Sequence, residues 1–242
     1  MKDPYVYKDS DVLVNKADIK DKNKLDEFEN RMSNLALVML FKNDIMINDA
    51  NDIFKIHKTL FENVYEWAGI PRTINIYKSE PILNGLSVEY SLCNLIDKDL
   101  SEINQTYFKN NNFRNLKKED FIHLFTRLIS DIWRVHPFRE GNTRTISAFA
   151  FLLLRQYGHT FNAELIKENS KYFRNALVMA SLKEYAEYQY LEKILADSIS
   201  DGNVITSPDK YKKIKDYNVE DYKYVYHKVK WLSKIIYDKK RK

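Results

Sequence analysis

Cys93 is the only cysteine among 242 residues, so no internal disulfide can form. No stretch approaches the ~18 consecutive apolar residues that mark a membrane span. The N-terminus, MKDPYVYKDSD, lacks the apolar core of a signal peptide. These absences exclude a membrane partner and point to the reducing cytoplasm. Strand signals are scarce as well. Only Arg72 to Tyr77 alternates apolar and polar residues with β-branched side chains, and Lys78 to Gly85 turns it back through Pro81 and Asn84-Gly85.

With 44% hydrophobic and 30% charged residues, the chain can bury one sizeable core with room for a small appendage. The net charge of +5 is unevenly spread: residues 203–242 hold 12 Lys and Arg against 5 Asp and Glu. The pattern predicts an extended lead-in over 1–21, a helical domain over 22–202 and a basic tail over 203–242. In the tail Tyr222, Val225, Val229, Leu232 and Ile236 recur at helical spacing. Its Lys, Tyr and Trp would suit a docking helix, a partner surface or a nucleic-acid patch, and the spacing does not choose among them.

Periodicity predicts a helix over Lys24 to Lys42 and a second after Asp49-Ala-Asn-Asp52, carrying Ile53, Ile56, Leu60, Phe61, Val64 and Trp67 to Gly69. His57 on the second reads as a structural histidine. Ser87 to Ile103 reads as a helix, Asn104 to Asn115 as a polar connection and Glu119 to Val135 as an amphipathic helix. Thr145 to Tyr157 is apolar nearly all round and reads as a buried central helix. Three further helices are expected, over Asn162 to Glu168, Tyr172 to Ser181 and Tyr185 to Ser200. The count is an all-α domain of about eight helices with one β-hairpin.

Between the amphipathic and the central helix lies His136-Pro-Phe-Arg-Glu-Gly-Asn-Thr-Arg144, where the chain concentrates its chemistry. Pro137 ends the preceding helix and leaves His136 at its exit. A helix N-terminus offers unpaired N–H groups and a positive dipole end, so phosphate is its natural ligand. Gly141 allows close backbone approach, and Arg144 adds a fork of donors suited to phosphate. Glu140 supplies a hard oxygen for Mg²⁺, and His136 can take a proton from an attacking hydroxyl near neutral pH. Together these are the parts of a nucleotidyl or phosphoryl transferase.

The string resembles the Fic family signature, His-x-Phe-x-(Asp/Glu)-Gly-Asn-(Gly/x)-Arg. Ile56-His57, Leu60-Phe61, Val64-Tyr65 and Trp67-Ala68-Gly69 resemble the helix before that family's substrate flap, so the likeness runs over roughly residues 51–200. The resemblance implies a Fic-type fold and AMPylation, in which AMP moves from ATP to a Tyr, Ser or Thr hydroxyl of a target protein and pyrophosphate leaves. It implies His136 as general base and Glu140 as holder of Mg²⁺ on the nucleotide. Gly141, Asn142, Thr143 and Arg144 would form the nucleotide-binding loop, with Phe138 anchoring it. The hairpin becomes a flap that aligns the target by strand pairing, with Ile74, Ile76 and Lys78 lining it.

Two positions depart from the family pattern. Ser147 stands where many AMPylating members have a second arginine, and Thr143 stands where glycine is common and where the phosphate-transferring Doc branch has lysine. Phosphate transfer of the Doc type and a decayed Fic-scaffold binding module are therefore the alternatives. The family's built-in inhibitory motif, (Ser/Thr)-x-x-x-Glu-(Gly/Asn), is matched in spacing only by Thr160 to Glu164, and Leu165 follows. Restraint by a separate small antitoxin is what the resemblance then implies, with type II topoisomerase subunits as the kind of target toxin-type relatives suggest.

Overall fold

In the computed structural model, residues 3–201 are described apart from 44, 111, 112 and 115. The basic tail, including its expected helix, lies outside the described residues. Eight α-helices occur among those described: α1 (Lys22–Lys42), α2 (Asp52–Phe61), α3 (Ile96–Ile103), α4 (Lys118–Val135), α5 (Asn142–Gln156), α6 (Ala163–Glu168), α7 (Ser170–Ala180) and α8 (Gln189–Ser198). Two short strands, β1 (His159–Phe161) and β2 (Ile199–Asp201), pair antiparallel with His159 opposite Asp201.

α5 is the hub. Ile146, Phe149, Leu152, Leu153 and Leu154 are all buried, and the helix packs against α2, α4 and β1. α4 turns Phe121, Phe125, Leu128, Ile129, Ile132 and Trp133 inward, as their spacing on one helical face requires. α1 lies on α2, with Asp21 capping its first turn by accepting from Lys24 N (2.9 Å).

The lead-in is anchored rather than loose. It folds back on itself through a Val6–Leu13 bridge, buries Tyr5 and Val12, and sets Tyr5 edge-on against Trp67. Lys16 N–H donates to the Val64 carbonyl (2.8 Å). That contact bears on the first correction. α2 stops at Phe61 instead of running to Gly69, and residues 62–69 form a succession of single turns. Val64 N–H and Tyr65 N–H both return to the Phe61 carbonyl (2.8 and 2.9 Å), while the Val64 carbonyl serves the lead-in. A tertiary partner has taken the Val64 carbonyl, which would have continued the helix.

The second correction concerns the hairpin. Its turn forms, closed by Gly85 N–H to Glu80 O (3.0 Å) and Glu80 N–H to Leu86 O (2.9 Å) around a 3₁₀ turn at Pro81–Leu83. Its arms are extended, but residues 72–78 form no strand ladder among the described residues. The groups a ladder would use are spent elsewhere. Arg72 N–H donates to Pro137 O (2.8 Å), Thr73 N–H to the Tyr5 hydroxyl (3.0 Å) and Lys78 N–H to Ser87 Oγ (3.2 Å). Ile74, Ile76 and Lys78 are half-buried on one side of this arm, in the alternation expected of them.

Smaller differences follow from the same competition. Of the helix expected over Ser87 to Ile103 only Ile96–Ile103 is α-helical, preceded by a 3₁₀ turn at Cys93–Leu95. Val88 and Tyr90 are buried in period two, an extended pattern. Asn104 to Lys109, expected as a connection, prolongs α3 as a π-helical turn, and Asn104 Oδ1 accepts from Ala50 N (2.7 Å). α5 starts at Asn142 rather than Thr145.

Because Phe149 is wholly buried on the hub helix, Phe149→Ala should cost about 3–5 kcal/mol of unfolding free energy. Urea unfolding followed by circular dichroism checks this, and a loss under about 1 kcal/mol would show that α5 is not the centre of the core.

Candidate active site

His136 caps α4 in left-handed geometry (φ 49°, ψ 57°), a conformation that costs a non-glycine residue of order 1 kcal/mol. Three bonds hold it there. Its own N–H returns to the Trp133 carbonyl (3.1 Å), its carbonyl accepts from Arg72 Nε (2.9 Å), and Nδ1 lies 3.1 Å from the same Trp133 carbonyl. A carbonyl can only accept, so the ring proton sits on Nδ1 and Nε2 carries the lone pair. Nε2 is buried and has no hydrogen-bond partner among the described residues. The ring lies against Tyr90 (centroids 4.0 Å) and edge-on to Trp133 (5.0 Å). Burial, with Lys78, Arg174 and Arg72 nearby, pushes its pKa well below the ordinary value despite the Trp133 bond, so the imidazole is neutral.

The loop that follows is shaped from two sides. Asn142 Oδ1 accepts from Phe138 N (3.0 Å) and its Nδ2 donates to Phe138 O (2.8 Å), closing the loop onto the start of α5. From the other side comes His57 on α2. Its Nδ1 accepts from Gly69 N–H (2.8 Å), which places its proton on Nε2, and Nε2 donates to the Glu140 carbonyl (3.1 Å). Phe138 stacks on its ring at 3.7 Å. Burial depresses the His57 pKa to about 3, so this histidine is structural and neutral. Gly141 adopts φ 81°, and a Cβ there would sit 2.5 Å from the Phe61 ring, so only glycine fits.

Glu140 accepts from a backbone N–H and from one cation. Oε1 accepts from Gly141 N–H (3.0 Å) and Oε2 from Lys78 Nζ (3.1 Å). Burial would raise its pKa, but Lys78, the Gly141 N–H and Arg144 outweigh that and keep it below the usual carboxylate range. The ionised carboxylate is a hard oxygen donor of the class divalent cations take, with Lys78 now on one of its oxygens. Lys78 thus turns from the flap onto the motif. Arg144 is drawn the other way, toward α1: Nη2 pairs with Glu29, Nη1 donates to Ser33 Oγ (2.7 Å), and its guanidinium lies 5.0 Å over the Phe61 ring. Tyr65 completes the cluster through its hydroxyl to Glu29. A cavity of about 490 Å³ opens here between the lead-in, α1 and the loop, with Glu29, Tyr65, Glu140 and Arg144 in its wall.

Thr143 Oγ1 accepts from Trp133 Nε1 (3.1 Å) and from Arg174 Nη1 (3.2 Å), while Ser147 turns its hydroxyl back to the Thr143 carbonyl (2.8 Å). The structure therefore brings His136, Glu140, Gly141, Asn142, Thr143, Arg144 and Lys78 to one end of α5. Ile74 and Ile76 remain on the flap arm, beside a groove of about 580 Å³ that Lys78 and Arg139 also line. Sequence reasoning missed Glu29, Arg72, Tyr90, Glu80 and Arg174. Each lies at least 30 residues from the motif's nearest end and belongs to an ordinary helical or extended pattern. The one available signal was Arg72, a cation inside the chain's clearest apolar alternation.

His57 and His136 both titrate below their ordinary value in the fold, so unfolding takes up protons as pH falls from about 6.5. Stability is complete above that pH and declines below it by about 1.4 kcal/mol per pH unit for each histidine. Urea unfolding between pH 7.5 and 5 should show this slope, with His136→Asn reducing it by about one proton's worth. An unaltered slope in the variant would mean that His136 is charged in the fold.

The Fic/DOC family model matches residues 48–154, which contain α2, the flap arm, α4 and nearly all of α5. The chain is 29% identical over 184 residues to protein adenylyltransferase VbhT of Bartonella schoenbuchensis, covering 76% of this chain. It spans only 36% of the length of that protein, and 39% of a protein adenylyltransferase of Bartonella henselae. It is 32% identical over 180 residues to probable protein adenylyltransferase y4lH of Sinorhizobium fredii, covering 74% of this chain and 88% of that protein. The crystal structure of BepC, a VirB-translocated effector of Bartonella tribocorum with bound AMPPNP, superposes with a TM-score of 0.68. The two are 25% identical, with 81% of this chain and 96% of that one covered. With the motif loop, the helices that flank it and relatives along most of its length in agreement, the chain belongs to the Fic/DOC family.

Proposed function

We propose that this chain is an adenylyltransferase that moves AMP from ATP to a Tyr, Ser or Thr hydroxyl of a target protein. The observation that carries the reading is His136: a buried neutral imidazole at the exit of α4, with its proton anchored on Nδ1 and the Nε2 lone pair unpartnered among the described residues. That is the state a general base requires. The names of the relatives and the AMPPNP of BepC support ATP as the donor.

In this reading the triphosphate lies on the N–H groups that open α5, where the loop, held by Asn142 and His57, keeps them aimed before any ligand arrives. Nε2 of His136 takes the proton of the acceptor hydroxyl as its oxygen attacks the α-phosphorus. The bond from that phosphorus to the oxygen leading to the β-phosphate breaks, and pyrophosphate leaves with the bonding pair. Glu140 would hold Mg²⁺, which when bound would supply positive charge to offset that of the phosphates. The flap arm, with Ile74 and Ile76 half-buried and no ladder of its own, supports pairing with an extended target segment.

Restraint by a separate small antitoxin belongs to the same reading. Thr160 to Glu164 runs from β1 into α6, and Leu165 buries where the inhibitory motif needs Gly or Asn. One observation favours the competing view of a binding module: the Arg144 charge is already matched by Glu29. No helix among the described residues is long and apolar enough to cross a membrane.

Incubation with labelled ATP, Mg²⁺ and a cell lysate tests the proposal. His136→Ala should bind ATP much as the intact chain does and lower transfer by about 10²–10⁴-fold, and mass spectrometry should find AMP on a target hydroxyl. Phosphate instead of AMP would select the Doc-type reaction. No label of either kind from the intact chain would leave the binding module.

Glu140→Ala should abolish the Mg²⁺ dependence of ATP binding measured by calorimetry. Affinity that still rises with Mg²⁺ in this variant would place the metal on another group.

A further inference from the structure

Three features meet at the start of α5, and one of them belongs to no motif. Arg174 reaches across from α7, donating from Nη1 to Thr143 Oγ1 (3.2 Å) and from Nη2 to Glu80 Oε1 (2.7 Å). Glu80, at the base of the flap turn, is only 1% exposed, and it also accepts from the Tyr90 hydroxyl (3.3 Å). Tyr90 in turn packs on His136. Trp133 Nε1 donates to the same Thr143 hydroxyl, and the Arg174 guanidinium lies 5.9 Å from the Trp133 ring. Trp133, Thr143, Arg174, Glu80 and Tyr90 thus form a chain of contacts that begins and ends beside the imidazole of His136.

Within this chain Arg174 differs from its neighbours in being reachable. Its side chain is 37% exposed while Glu80 beneath it is buried, so the guanidinium is held at one end and open at the other. Two of its five N–H donors are used among the described residues. Arg144 presents the opposite case, with both terminal nitrogens committed to α1. The second observation is His136 Nε2, buried without a partner among the described residues, on which the Arg174 and Lys78 charges both bear. The first turn of α5, a preset guanidinium and a buried lone pair are thus neighbours, joined through Thr143, Trp133 and Tyr90.

We propose that Arg174 is a phosphate-binding residue of this site, a guanidinium supplied from α7 that grips a phosphate of the nucleotide lying on the first turn of α5. Phosphate is the class of ligand that suits it: the fork is planar and charged, and it stands at a positive helix end where a second anion partner is needed. Glu80 is its positioning residue. The assignment rests on the nucleotide reading above and adds to it a contact from outside the motif.

Calorimetry with Mg²⁺-ATP tests it on the whole chain. Arg174→Ala should weaken binding roughly 10- to 100-fold, the range expected for lost hydrogen bonds to a charged group. Arg174→Lys, which keeps the charge, should recover part of the affinity. Arg174→Gln, which can still bridge Thr143 and Glu80, should recover none. Because Ala at 174 strands a buried carboxylate, the double variant Arg174→Ala with Glu80→Gln supplies a second reading, each protein being checked for fold by circular dichroism. Affinity within about twofold of the intact chain in a folded double variant would overturn the Arg174 assignment alone, as would recovery by Gln equal to that by Lys. Failure of the intact chain to bind Mg²⁺-ATP would overturn the nucleotide reading and this assignment with it.

Discussion

A neutral imidazole buried between two segments holds this site together. His57 accepts from the backbone of Gly69 on one side and donates to the backbone of Glu140 on the other, with Phe138 stacked on its face. Only a neutral histidine can do both, because it has one donor and one acceptor on opposite edges of a rigid ring. Burial enforces that state by penalising the cation. The turns after α2, the motif loop and the start of α5 are thereby fixed to one another. Gly69 and Gly141 are the corresponding backbone requirements: a Cβ at Gly69 would lie 2.7 Å from Lys58 Cβ, and one at Gly141 would enter the Phe61 ring.

Around this joint the charges are arranged in pairs, with a single neutral base among them. Lys78 meets Glu140, Arg144 meets Glu29, and Arg174 meets Glu80. The first joins the flap arm to the motif, the second joins the start of α5 to α1, and the third joins α7 to the flap turn. A ligand bearing negative charge can be accepted by sharing these cations, without exposing an unpaired buried charge. Arg72, buried with its guanidinium on the carbonyls of His136, Ile74 and Ser91, performs the same joining for the backbone. The flap is fastened to the exit of α4 through it, which is why its arm spends its hydrogen bonds away from any ladder.

How far these features can be read from the chain depends on how local their causes are. α1, α4 and α5 show their apolar faces at regular spacing, and their limits fall within three residues of the expected ones. The motif was legible because its residues are consecutive and each type has a chemical reason to be there. The hidden part consists of partners: Glu29 for Arg144, Lys78 for Glu140, Arg174 for Thr143. Lys78 reads in the chain as one more flap residue, and only its folded position makes it a counter-ion of Glu140.

The sequence by itself determined a helical domain built around a buried central helix, and a loop at its start in which a histidine, a carboxylate, a glycine and an arginine stand in fixed order. Those properties follow from periodicity, from Pro137 ending a helix, and from the chemistry of adjacent side chains. The tertiary structure alone decided where α2 stops, that the flap carries a turn but no ladder, which tautomer His57 adopts and which cations lie near His136. The reason is common to all four. Each depends on a hydrogen bond or charge contributed by a residue remote in the chain, such as the Lys16 N–H on Val64 or Arg174 on Thr143, and burial decides which of several possible partners a group takes.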